Sequence, residues 1–228
     1  MKKTKSEIDY DTAFVPNKWP GAFGLYNYSK TVVSFNLQPF LLALIGAYLA
    51  DIFSSYAHSL ILRILLLIVF YLFMLSSLVV LVGSIKRDKL TFSEAVDKAA
   101  RISLRVLAIY ILLTLAAAIS FVLLVIPFFF VVPRLILAPY YLIDRNTGIF
   151  ESIQLAWKNG EGHALKTWGV IGVQILFALL SLILIGIYFS IIYSAAFIIL
   201  YAYTSNVDTK TINKKSRPVA KPRKLQKV

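Results

Sequence analysis

Residues 168–203 read WGVIGVQILFALLSLILIGIYFSIIYSAAFIILYAY, thirty-six positions without one Asp, Glu, Lys, Arg or His. A helix crossing the roughly 30 Å hydrocarbon layer needs about 20 apolar residues. The run is too long for one ordinary crossing and just long enough for two of about 17 residues, joined by a tight turn near Gly186. Four further runs precede it, at 37–57, 64–82, 106–126 and 128–143. Pro39 stands in the first turn of the first run, where a missing N–H leaves no extra orphan. Pro127 closes the third, because proline cannot donate within a helix. The fourth is short and contains Pro133, Arg134 and Pro139, so it is expected to be kinked.

The whole chain agrees with this reading. Of its 228 residues 59% are hydrophobic and 15% charged, with mean hydropathy +0.76, against roughly 45–50% and about 25% in soluble domains. An ordinary water-soluble domain is excluded. Lys2, Lys3 and Lys5 are not followed by an apolar core of signal-peptide length, so no cleavable leader is expected. The expectation is an all-α polytopic membrane protein with six transmembrane helices as three hairpins. Residues 1–31 are a cytoplasmic N-terminal segment, 32–204 the membrane domain and 205–228 a disordered basic cytoplasmic tail.

The basic residues orient it. Residues 1–31 hold five Lys and Arg, 84–105 six, 144–167 three and 204–228 eight, leaving only Arg63 and Arg134 of the 24 elsewhere. Positive charge near span ends is retained in the cytoplasm, so both termini are placed there, in the plasma membrane. Six crossings satisfy this parity and five do not. Arg63 is read as the external anchor of the second span.

Two basic segments can be laid on one another, LTFSEAVDKAAR (90–101) and TGIFESIQLAWK (147–158). In the first, Thr91 and Glu94 make a capping box, and Phe92, Val96 and Ala99 fall on one face. In the second, Ile149 and Ile153 line the apolar side and Trp157 suits the headgroup boundary. Both are expected to be cytoplasmic amphipathic helices lying in the membrane interface.

With TFSEAVDKAAR, IPFFFVVPRLILAPYYLID and GIFESIQLAWKNGEGHALKTW in sequence, residues 84–190 resemble the membrane domain fused to some bacterial glycerophosphodiester phosphodiesterases and related stand-alone multi-pass proteins. Pro133, Arg134, Asp144, Gly148 and the 152–157 helix carry the resemblance. It implies a helical membrane fold and brings no phosphodiesterase activity, which in that family belongs to a separate soluble barrel that these residues do not contain.

Chemistry is sparse. Cysteine is absent and the only histidines are His58 and His163, so neither HExxH nor a three-histidine site exists, and no GxSxG, P-loop or GxGxxG occurs. No catalytic residue, metal or cofactor is expected. An ionisable residue inside a bilayer is by default a functional candidate with a partner to be named. Arg134 and Asp51 are the two, expected to form an ion pair or ligand site in the external half of the bundle. Gln174, Ser181, Ser190 and Ser194 are expected to form interhelical hydrogen bonds. The tail KTINKKSRPVAKPRKLQKV (210–228) has eight basic residues and no acid. It is expected to meet anionic headgroups, and it lacks the interleaved aromatics that base stacking would use. The expected partners are the bilayer, with its anionic lipid, and a membrane or cytoplasmic protein; nucleic acid is not expected. The expected function is a non-enzymatic module that binds a partner or organises lipid, with a small-solute or lipid carrier as the alternative.

Overall fold

The computed structural model describes residues 14–123, 125–181 and 185–205. The start of the N-terminal segment and the basic tail beyond 205 lie outside the described residues. Within them the chain forms α1 (Leu25–Phe35), α2 (Leu37–Tyr56), α3 (Leu60–Ile85), α4 (Phe92–Leu123), α5 (Val125–Leu135), α6 (Ala138–Arg145), α7 (Ile149–Asn159), α8 (Ala164–Leu180), α9 (Ile185–Tyr193) and α10 (196–205). Five stretches are long and apolar enough to cross a membrane: α2, α3, α4, Pro127–Arg145 and Gly186–Ser205. A sixth is added if α7 and α8, which meet at 103°, count together.

Many apolar residues of α2, of the first half of α3 and of α4 face outward. Leu41, Ile45, Leu49 and Ile52 on α2, Ile64 and Ile68 on α3, and Leu104, Ile111, Leu115 and Ile119 on α4 are all exposed. In the hydropathic stretch of α4 only 11% of residues are buried. A soluble fold would bury these side chains, whereas a bilayer solvates them and demands that each backbone N–H and C=O be paired within a helix.

One expected element is corrected. The amphipathic helix over 92–102 is not a separate element; it is the first third of α4, a single 32-residue helix. Its start is as read: the Thr91 N–H donates to Glu94 Oε2 at 2.9 Å and the Glu94 N–H to Thr91 Oγ1 at 3.3 Å. Its end is not, because no Gly or Pro stands between Phe92 and Leu123 to stop it. At 1.5 Å per residue α4 is about 48 Å long, well beyond the hydrocarbon thickness. Its apolar face packs instead on the protein, with Ala95 and Ala99 buried and the Phe92 ring 5.7 Å from that of Phe73.

The 168–203 run does fold back on itself. Gln174 Nε2 in α8 donates to Ser190 Oγ in α9 at 3.0 Å, and the Phe177 ring stacks on Phe189 at 5.6 Å. Of the four polar residues expected to bridge helices, this pair does so, whereas Ser181 and Ser194 bond back to carbonyls of their own segments. Gly186 sits where a Cβ would overlap the main-chain carbon of Leu180 and nitrogen of Ser181.

Pro133 lies inside α5, which continues past it to Leu135, and it adds a contact. Pro133 has no N–H to give the carbonyl four residues earlier, that of Phe129. Trp168 Nε1 from the second turn of α8 supplies the missing donor at 2.9 Å, so the proline inside α5 also marks the point at which α8 is tied to it. The signal was legible: a proline inside a helix names the carbonyl that needs an outside donor.

Candidate functional site

Contacts between distant residues gather the basic segments at one end of the bundle. Asn36, at the junction of α1 and α2, donates through Nδ2 to Ser84 Oγ at 3.1 Å and to the Asp88 carbonyl at 2.8 Å, joining the start of α2 to the α3–α4 turn. Lys166 Nζ lies 4.8 Å from the Tyr203 ring and 5.6 Å from that of Trp19, and the Tyr193 hydroxyl donates to the Ala22 carbonyl at 2.6 Å. The stretch that holds Trp19, Ala22 and Tyr26 is therefore packed against α8, α9 and α10.

At the centre of this end is a buried polar junction. The Asp144 side chain, in the last turn of α6, has no exposed surface, and its Oδ1 lies 2.6 Å from Lys86 Nζ, just past the end of α3. Lys86 Nζ also donates to the Asp144 carbonyl at 2.8 Å, and the Tyr201 hydroxyl from α10 donates to Asp144 Oδ2 at 2.5 Å. Beside it Tyr141, fully buried, accepts at its hydroxyl from Asn159 Nδ2 at 2.7 Å and Ser205 Oγ at 3.0 Å. The Tyr141 ring meets that of Tyr201 edge-on, 4.6 Å between centroids. Three tyrosine and aspartate groups thus tie α3, α6, α7 and α10 together. A charge taken out of water needs this density of partners.

Next to the junction a cavity of about 370 Å³ opens between α3, the α3–α4 turn, α4 and the end of α6. Lys86, Lys98, Arg101 and Arg105 line it against Asp88 and Asp144. Lys98, Arg101 and Arg105 are spaced three and four residues apart on α4 and so share one face. Lys86 is neutralised by Asp144, and Arg101 pairs with Asp97 at 2.9 Å. Neither Lys98 nor Arg105 is ion-paired among the described residues.

The residues singled out from the sequence are placed elsewhere. Arg134 and Asp51 are not brought together. Arg134, half-buried in the last turn of α5, sets its guanidinium 4.9 Å from the centroid of the Trp157 ring, a cation–π contact worth about 0.5–2 kcal/mol. Asp51 is exposed on α2, and its main-chain carbonyl accepts from Ser54 Oγ and Ser55 Oγ at 2.8 and 3.1 Å. α7 runs back along α6 and α5: Ser152, Ala156 and Asn159 are buried, Ile149 and Ile153 half-buried, and Trp157 is 43% exposed. Gly160 at its end admits no side chain, since a Cβ would lie 2.9 Å from Arg134 Cα. Phe92 and Val96 are half-buried and Ala99 fully so. His163 packs by Tyr203 with ring centroids 6.1 Å apart, while His58 is exposed in the α2–α3 turn. Among the described residues no three His, Asp or Glu side chains converge to hold a metal ion.

Compared with family models, curated proteins and solved structures, the chain has no match in any of the three.

Proposed function

We propose that this chain is a non-enzymatic integral module of the plasma membrane that organises lipid, crossing six times as three hairpins with both termini at the cytoplasmic face. The observation that carries the reading is an apolar exterior around a bundle whose buried charge is gathered at one end. Apolar side chains cover the outside of α2, α3 and α4, while the carboxylate of Asp144 and the hydroxyl of Tyr141 are sealed at one end. Beside them Lys98, Arg101 and Arg105 remain on a charged face. Such a molecule presents lipid chains with an apolar belt and headgroups with cations. The resemblance to phosphodiesterase-linked membrane domains belongs to the same proposal.

One feature favours the carrier reading: the fourth span is interrupted at 136–137, between α5 and α6, and the next is bent by 103°, and interrupted helices surround the substrate in many transporters. The two readings separate in native mass spectrometry of the full chain extracted in mild detergent. The lipid module is expected to retain phospholipid at low stoichiometry with no co-purifying solute. A defined small solute, or a stoichiometric protein with no lipid, would overturn it.

A further inference from the structure

We propose that the cleft bounded by Lys86, Lys98, Arg101 and Arg105 binds a phosphate anion, supplied by the headgroup of an anionic phospholipid. This deepens the lipid-organising reading and rests on it. The volume, about 370 Å³, lies within the range of small-ligand sites. Its cations are not all spent within the protein. Asp144 takes Lys86 and Asp97 takes Arg101, and Lys98, though it feels the Glu94 carboxylate one turn earlier, makes no contact ion pair among the described residues, which leaves Lys98 and Arg105 to face an anion from outside. An Arg–phosphate contact is charge-assisted and admits two parallel N–H donors.

Position selects a lipid over a soluble phosphate. Arg105 stands at the changeover on α4, where the charged face holding Lys98 and Arg101 gives way, two turns further on, to Leu112, Leu115 and Ile119, all exposed on that same side. Val79 and Val82 of α3 and Ile102 of α4 add apolar surface to the lining, beside the Lys86 and Asp88 side chains. A phosphate held by Lys98 and Arg105 would have its acyl chains running directly down the exposed apolar face of α4. A free phosphate makes no use of that face.

The test uses the full chain in nanodiscs of phosphatidylglycerol and phosphatidylcholine, with the lipids that stay bound counted by native mass spectrometry. Wild type is expected to keep phosphatidylglycerol preferentially. The double variant Lys98→Gln/Arg105→Gln is expected to lose that preference by about thirtyfold, two headgroup-level charges' worth, and wild type is expected to lose it progressively with added salt. Lys30→Gln/Lys158→Gln, which removes two exposed cations that do not line the cleft, is expected to keep the preference. An unchanged unfolding midpoint in both variants shows that neither acts by misfolding. Equal losses in the two double variants would overturn the site. Binding of glycerol phosphate without any preference for phosphatidylglycerol would overturn the lipid assignment. Lipid retention with no headgroup preference would sink the cleft and leave the lipid-organising function standing, whereas retention of no lipid at all would sink both.

Discussion

Lys86→Met is expected to destabilise the protein by about 3–5 kcal/mol, the cost of leaving a buried carboxylate without its cation. The asymmetry of the pair makes the result specific. The Asp144 side chain has no exposed surface, whereas Lys86 keeps 27%, so the ammonium has a route to water and the carboxylate has none. Asp144→Asn is therefore expected to cost clearly less. It still offers Tyr201 an acceptor, and Lys86 retains the Asp144 carbonyl and turns toward the cleft. Lys86→Met/Asp144→Asn is expected to recover most of the loss of the lysine variant, because the orphaned charge is gone. Denaturant titration of the full chain in mixed micelles reads all three. Equal and additive single losses would show that Asp144 is not sealed by the junction.

Gly186→Ala is the second large effect. The added Cβ meets main-chain atoms of Leu180 and Ser181, and backbone cannot step aside as a flexible side chain does. The loss is expected at or above the upper end of the about 1–3 kcal/mol typical of overpacking. The damage would be local to the contact of α8 with α9, where Gln174 meets Ser190 and Phe177 meets Phe189. Size-exclusion chromatography after detergent extraction, followed by thermal unfolding, checks it. A monodisperse protein with the wild-type midpoint would mean that the two arms of the 168–203 run do not close on one another as described.

The membrane-crossing stretches were legible because a hydropathic run needs no knowledge of a partner. The fold-back of 168–203 was legible from length alone, and the capping box of α4 from Thr91 and Glu94. The continuity of α4 was readable too, in the absence of any Gly or Pro after Phe92. The amphipathic face over 92–102 pointed to a membrane surface because a helix face that packs on protein has the same periodicity as one that packs on lipid.

The buried junction was harder to see. Lys86 and Asp144 stand far apart in the chain, each at the end of an apolar stretch where charge is ordinary. Depth within a span drew the reading to Arg134 and Asp51, of which one stacks on Trp157 and the other is exposed. The Tyr141 and Tyr201 hydroxyls were hidden within aromatic character, although a buried tyrosine regularly brings a polar handle that needs a partner. The cleft follows from the junction, since only the pairing of Lys86 with Asp144 and of Arg101 with Asp97 shows which cations are left.

The account stands most directly on which side of the membrane each turn lies, and the chain's lack of cysteine makes that measurable without background. Single cysteines at Ser59, Lys89 and Glu161, all exposed, and at Lys227 in the tail are to be labelled with a membrane-impermeant thiol reagent, before and after permeabilisation of intact cells. The account predicts that position 59 reacts from outside while 89, 161 and 227 react only once the membrane is opened. Labelling of 59 and 89 from the same side, or of 227 from the side opposite to 89, would contradict it.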